Sequence, residues 1–160
     1  MEPVEIVSGT AVPLRRADVD TDQIIPSDWL KRVERTGFEK GLFSEWRDNR
    51  DFVLNDVRHD GAVVLVAGPN FGTGSSREHA VWAIQQYGFG AVVSPRFADI
   101  FANNCTKNGL VPVQVSAEVG EALLDAVEAD PELVITVDVR NLTLEAPAAG
   151  ISCGFPMDTA

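Results

Sequence analysis

The strongest constraint on the fold is a repeated order of elements in the middle of the sequence. Short runs of β-branched and small apolar residues alternate there with helix-like segments. Such an alternation predicts a parallel sheet with helices packed on its faces. The predicted strands are 61–67, 90–94 and 111–115, and the predicted helices are 76–87, 97–108 and 116–128, the last with Ser116 as its N-cap. These elements predict an α/β fold.

Both ends of the chain add antiparallel strands to this pattern. Residues 4–14 predict one or two short strands, and residues 134–139 and 142–145 predict a hairpin. We therefore expect a mixed, mainly parallel sheet flanked by helices, in a single domain that spans residues 1–160. The last stretch, 146–160, shows no pattern that predicts a closing helix or strand.

Charge and hydropathy exclude several classes of function. The net charge is −11, with acidic residues spread along the whole chain, so we expect neither a nucleic-acid partner nor a membrane partner. No apolar run reaches the ~20 residues that span a membrane. The first residues lack the basic start and apolar stretch of a signal peptide, so we expect a cytoplasmic protein.

The histidines and cysteines are too few for the common metal sites. The chain has two of each, namely His59, His79, Cys105 and Cys153. This excludes a disulfide scaffold and a zinc ribbon, and it cannot supply the full thiolate set of an iron–sulfur cluster. We expect no metal and no cofactor bound by this chain alone, and Cys105 to be a buried structural thiol. His79 has two interpretations, an acid–base group or, as we expect, a hydrogen-bonded structural residue.

A glycine-rich turn, residues 68–74, follows the first central strand and leads into a polar cluster and a helix. Ser75 with Glu78 satisfies the capping-box pattern, so one interpretation is simple capping. The alternative is an anion site, because Arg77 would lie unfavourably at a helix N-terminus unless a carboxylate or phosphate pairs with it. The glycines, hydroxyls and arginine together favour a carboxylate site. The turn lacks the lysine of a P-loop and the spacing of a dinucleotide fingerprint.

Several segments in order make the chain recognisable. It resembles the swivelling domain of the aconitase superfamily, and in particular the small subunits of 3-isopropylmalate dehydratase. The resemblance covers nearly the whole chain. It rests on Asp20-Thr-Asp-Gln-Ile-Ile-Pro26, Arg35-Thr-Gly-Phe38, Asn70-Phe-Gly72, Gly74-Ser-Ser-Arg-Glu-His-Ala80, Phe97-Ala-Asp-Ile-Phe101, and Asn104 with Asn108-Gly-Leu and Pro112.

The resemblance implies a swivelling β/β/α domain and a function. Such proteins interconvert 2-isopropylmalate and 3-isopropylmalate in leucine biosynthesis, by removing water and adding it back. Ser75 is implied to be the catalytic base, and Ser76 and Arg77 to bind a substrate carboxylate. A further substrate arginine is implied after the Asp-Thr-Asp motif, with Arg35 the better candidate and Arg32 the second; the alternative for this segment is a solvated basic face.

The resemblance also implies a partner. A large subunit is expected to carry a [4Fe–4S] cluster and to form a heterodimer or heterotetramer with this chain, which alone would be inactive. Family members continue past the last hairpin with a helical segment, so we expect this chain to be shortened. Two alternatives stay open. One is the small subunit of a related hydro-lyase, a homoaconitase or methylmalate-type hydratase, with substrate choice set by residues 29–43. The other is a stand-alone anion-binding module.

Overall fold

The described residues form two separate four-stranded sheets. The structure is a computed structural model that describes residues 5–31, 34–74 and 77–157. The parallel sheet has the order β2-β3-β4-β5, with β2 Ala11–Leu14, β3 Val64–Ala67, β4 Ala91–Ser94 and β5 Val111–Gln114. The antiparallel sheet has the order β1-β6-β7-β8, with β1 Ile6–Gly9, β6 Ile135–Asp138, β7 Thr143–Ala146 and β8 Ile151–Gly154.

The α/β class is confirmed, and the arrangement of the antiparallel strands is more specific than expected. They form a sheet of their own instead of extending the parallel one. The chain passes from β1 to β2 through Thr10 alone, so it changes sheets in a single step. The sequence predicted no strand after the hairpin, and this prediction was wrong. β8 pairs antiparallel with β7, with Ile151 opposite Ala146 and Gly154 opposite Thr143.

Five α-helices lie in the described residues: α1 Thr21–Ile24, α2 Ser44–Arg47, α3 Glu78–Tyr87, α4 Asp99–Asn108 and α5 Ala117–Ala129. The N-cap prediction for α5 is confirmed, since Ser116 Oγ accepts the Val119 N–H at 3.1 Å. Short 3₁₀ helices span Ser27–Lys31, Phe38–Lys40, Val53–Asn55, Val57–His59 and Pro147–Ala149. None of the helices in the described ranges is long and apolar enough to cross a membrane.

The parallel sheet separates two hydrophobic cores. Alternate residues of β3 point to opposite faces, so Leu65 joins the core under α3 and α4, while Val64 and Val66 join the core under α5 and the antiparallel sheet. Burial on both faces explains why the central strands are continuous apolar runs. Residues 38–59 bury aromatic side chains in the first core, including Phe38 and Phe43.

The two edge strands of the parallel sheet each contain a proline, Pro13 in β2 and Pro112 in β5. Proline lacks the N–H that a strand donates to its neighbour, so it is tolerated at a sheet edge and not in the middle. His59 covers part of the β2 edge, with its Nδ1 3.2 Å from the Ala11 carbonyl oxygen. His59 is thus a structural residue.

Candidate active site

The loops that follow β2 and β3 run side by side at the carboxyl ends of these strands. The Gly72 N–H donates to the Val19 carbonyl at 2.8 Å, and the Thr21 N–H donates to the Thr73 carbonyl at 2.9 Å. The Asp-Thr-Asp motif and the glycine-rich turn, distant in sequence, therefore form one rigid surface. Ligands of open α/β sheets bind at this end of the strands.

Each aspartate of the loop after β2 has a separate role. Asp18 Oδ1 accepts a hydrogen bond from Asn70 Nδ2 at 2.9 Å, which ties the two loops together. Asp20 caps α1, since its Oδ1 accepts the Gln23 N–H at 2.8 Å and its own N–H donates to Gln23 Oε1 at 3.1 Å. This capping box fixes the start of α1. The third aspartate, Asp22, has an exposed side chain that pairs with Arg77.

Arg77 pairs with Asp22 across the two loops. Arg77 Nη1 donates to Asp22 Oδ1, and the exposed fractions of the two side chains are 22% and 64%. An arginine at a helix N-terminus was expected to need an anionic partner, and within this chain Asp22 provides one. Among the described residues this bond engages one nitrogen of the guanidinium, and the Nη2 and Nε edge has the geometry that binds a carboxylate through two parallel N–H groups. The substrate-binding role of Arg77 stays a prediction.

Arg77 lines a small pocket of about 270 Å³ at the junction of the loops. Its walls combine a polar side with an apolar side. The lining residues are Thr21, Gly72, Gly74, Arg77, Ala98, Asp99, Ile100 and Phe101. Ile100 is 57% exposed at the rim, which is unusual for a large apolar side chain and leaves it available for contact with another molecule.

Two helix N-termini meet at this pocket. Arg77 is the N-cap of α3 and Ala98 is the N-cap of α4, and neither makes a side-chain capping bond. Both helices are ten residues long, so the unsatisfied N–H groups and the partial positive charge of each N-terminus favour an anion here. Asp99 in the first turn of α4 and Asp22 on α1 offset part of this positive potential.

The predicted start of α3 at residue 76 is wrong, because the helix begins later than the sequence pattern predicts; Ser75 itself lies outside the described residues. Arg77 has an extended backbone, with φ −137° and ψ 115°, and α3 starts at Glu78. The Glu78 carboxylate contacts α4, with its Oε1 3.4 Å from Lys107 Nζ.

Gly72 is required by packing. Its φ is +84°, a region that disfavours other residues, and a Cβ built on it would lie 2.2 Å from Cγ of Phe101. Phe101 itself is 3% exposed and stacks edge-on against Phe71, so the ring has no room to move. Gly74 also lines the pocket, and a Cβ built on it would meet no atom closer than 3.5 Å.

The predicted site residues are only partly brought together. Ser75, Ser76 and Arg32 lie outside the described residues, although Gly74 and Arg77, which flank the two serines in sequence, both line the pocket. Arg35 is described and is not among the lining residues. Its guanidinium carbon lies 5.5 Å from the centroid of the Trp82 ring on α3. Arg35 as a substrate ligand therefore stays a prediction.

The remaining candidates for metal or acid–base chemistry have structural surroundings. His79 packs edge-on against Phe38, with ring centroids 5.4 Å apart, and lies 4.9 Å from Trp82. Cys105 is buried in the core, and burial raises the pKa of its thiol; burial also raises the pKa of the partly exposed Cys153. Within the described ranges, no three or more His, Cys, Asp or Glu side chains form a group that could hold a metal.

Sequence reasoning gave no site role to Asp22, which pairs with Arg77, or to the lining residues Thr21, Ala98, Asp99, Ile100 and Phe101. A usable signal was present. The run 97–101 directly follows the end of a predicted parallel strand, and the carboxyl ends of adjacent parallel strands share one edge of the sheet. The backbone confirms the neighbourhood, since the Phe71 N–H donates to the Arg96 carbonyl at 2.9 Å.

Comparisons with known proteins show which proteins this chain is similar to. A family model described as the aconitase C-terminal domain matches residues 1–118. Two relatives named 3-isopropylmalate dehydratase small subunit align over 158 residues, covering 99% of this chain and 80% of each relative. The protein from Rubrobacter xylanophilus is 60% identical and that from a Parafrankia species is 64% identical. A crystal structure of 3-isopropylmalate dehydratase (LeuD) from Methanocaldococcus jannaschii has a TM-score of 0.71 and 28% identity, covering 96% of this chain and 84% of that one.

Proposed function

We propose that this chain, which belongs to the 3-isopropylmalate dehydratase small subunits of the aconitase family, supplies the carboxylate-binding half of a hydro-lyase active site. The reaction interconverts 2-isopropylmalate and 3-isopropylmalate through loss and readdition of water, a step of leucine biosynthesis. The observation that carries the proposal is the convergence of two uncapped helix N-termini and Arg77 on one pocket. This arrangement suits a dicarboxylate in a chain whose net charge is otherwise −11.

Ser75 is proposed as the catalytic base, from its place between Gly74 and Arg77 and from the family resemblance. In the dehydration it takes a proton from the carbon next to a carboxylate while the neighbouring carbon loses its hydroxyl, and the new double bond forms between them. A serine hydroxyl is a weak base, so its charged form needs nearby N–H groups and a cation in a site from which water is excluded.

Substrate binding is assigned to Ser76 and Arg77, with a second arginine from the loop after α1. Arg77 offers its Nη2 and Nε edge to one carboxylate. Arg35 is preferred to Arg32 for the other carboxylate, since its guanidinium stacks on Trp82 of α3, the helix that Arg77 caps. To bind that carboxylate, the Arg35 guanidinium would have to move away from the Trp82 ring, or the substrate would have to reach as far as this ring.

The pocket is small and open, which supports a partner that completes it. At about 270 Å³ it is below the ~300–1,000 Å³ of ordinary small-molecule sites. The small-subunit name of the relatives implies a large subunit. Cys105 is buried, and no three or more His, Cys, Asp or Glu side chains of the described ranges form a group that could hold a metal. We propose that the [4Fe–4S] cluster belongs to that subunit, where it would supply a Lewis acid for the leaving hydroxyl. The cytoplasmic location stays a prediction.

The test is co-expression with a cysteine-bearing aconitase-like large subunit, followed by anaerobic assay. Ser75→Ala should lower kcat by at least ~10²-fold, the contribution expected of a general base. Arg77→Lys should mainly raise KM, because lysine cannot offer two parallel N–H groups. The matched controls are Ser152→Ala on β8 and Arg140→Lys on the β6–β7 turn, both away from the pocket, which should leave the rate unchanged.

The outcomes separate the alternatives. Normal rates in both Ser75→Ala and Arg77→Lys would refute the site, and turnover by the chain without a partner would refute the two-subunit requirement. Faster turnover of homocitrate-type or methyl-substituted malates than of isopropylmalate would favour a related hydro-lyase. Absence of any partner that confers activity would leave the anion-binding module.

A further inference from the structure

The motif Arg35-Thr-Gly-Phe38 forms a turn whose two ends are both hydrogen-bonded to one side chain of α3. Gly37 has φ +85° and ψ 5°, the conformation that the third residue of a type II turn requires and that favours glycine. In a closed turn of this kind the first carbonyl and the last N–H bond each other directly. Here both groups are engaged by Gln86 of α3.

Gln86 binds the two ends of the turn with the two ends of its amide. Its Nε2 donates to the Arg35 carbonyl at 2.6 Å, and its Oε1 accepts the Phe38 N–H at 2.9 Å. The orientation of the amide is unambiguous, since a carbonyl only accepts and an N–H only donates. A side chain with both functions in one plane is needed to span the turn, and among the common residues only glutamine and asparagine have it.

The flanking side chains depend on this attachment. Phe38 is fully buried and packs against His79 and Trp82, with the ring centroids of Phe38 and Trp82 5.8 Å apart. Arg35, at the other end of the turn, lies over the same Trp82. Phe38 anchors one end through burial, so Gln86 is what restrains the exposed end that carries the arginine.

We infer that Gln86 is a positioning residue, which fixes the backbone of Arg35 and so determines where this arginine is presented beside the active site. The inference deepens the proposed function, since it rests on Arg35 being a substrate ligand. Gln86 touches neither the pocket nor Arg77 and acts through the turn alone. Its neighbour Gln85 makes a comparable bond elsewhere, from Nε2 to the Asn108 carbonyl at 2.7 Å, and serves as the matched control.

The first test is amide hydrogen exchange in the chain on its own, where no catalysis is needed. Gln86→Ala should make the Phe38 N–H exchange about tenfold faster, because one hydrogen bond of ordinary net strength is lost. Gln86→Glu should keep Phe38 protected through its remaining acceptor. Gln85→Ala, which removes an equivalent bond from α3, should leave Phe38 unchanged. Equal exchange in Gln86→Ala and the natural chain would overturn the inference.

The second test uses the complex with the large subunit. Gln86→Ala should raise KM about tenfold with kcat within about twofold, as loss of a positioned binding group requires. Gln86→Glu should recover part of the KM effect, and Gln85→Ala should show none. One outcome separates the two roles: Arg35→Lys leaves KM unchanged, while Gln86→Ala still speeds exchange of the Phe38 N–H. In that case Arg35 is not a substrate ligand, but Gln86 does hold the turn. A Gln86→Ala complex with unchanged KM, where Arg35→Lys does raise KM, would refute the positioning role.

Discussion

Replacing Gly72 by alanine tests how tightly the pocket is built against α4. Two costs add. A non-glycine residue at φ +84° costs about 1–2 kcal/mol. The new methyl would also lie 2.2 Å from Cγ of the buried Phe101, and overpacking of this kind costs about 1–3 kcal/mol. The free energy of unfolding should therefore fall by about 2–5 kcal/mol in total, which lowers Tm by roughly 4–20 °C for a domain of this size.

Gly61→Ala isolates the backbone part of that cost. Gly61 has φ +80° and no heavy atom within 4 Å of a built Cβ, so its substitution carries the strain without the clash. Paired thermal and urea unfolding of the two variants measures the difference. We expect Gly72→Ala to be the less stable by at least ~1 kcal/mol, and Phe101→Leu to recover part of the loss when combined with it. Equal stability of the two glycine variants would refute the packing argument.

Two further predictions concern the pairing of Arg77 and the buried thiol. Asp22→Asn should change the free energy of unfolding by less than ~1 kcal/mol, because the Asp22 side chain is 64% exposed. The same substitution should raise KM in the complex, because Arg77 loses the partner that restrains it. A loss of stability without a change in KM would contradict this prediction. Thiol reagents should modify Cys153 first and Cys105 only on unfolding. Because burial raises the pKa of Cys105, the folded state keeps that proton, and stability should decline as pH rises above the ~8.5 of an unfolded thiol. Cys105→Ala should remove this alkaline decline.

The elements that local chemistry determines were predictable. Ser116 and the apolar spacing after it predicted α5, and the buried runs predicted the central strands. The start of α3 was mispredicted because Ser75 and Glu78 satisfy a local capping pattern, whereas the extended backbone of Arg77 places the start at Glu78. β8 was missed because its four residues are too few to give a clear periodic signal, and pairing with β7 stabilises it.

The sequence predicted where the candidate site lies, but not all of the residues that form it. The glycine-rich turn and Arg77 identified the end of β3. The contribution of α4 depends on Phe71 bonding to the chain after β4, and the contribution of Gln86 depends on a contact between residues 48–51 positions apart. Contacts of this range leave no periodic signal in a single sequence.

The prolines at both margins of the parallel sheet affect how the protein can associate. Addition of a strand from a second molecule requires an unbroken row of donors and acceptors along an edge, and Pro13 and Pro112 each interrupt that row. Copies of this chain are thereby discouraged from joining through that sheet into open-ended assemblies. The loop face at the carboxyl ends of the strands does not depend on that row, so we expect a partner of different shape to meet the open side of the pocket there.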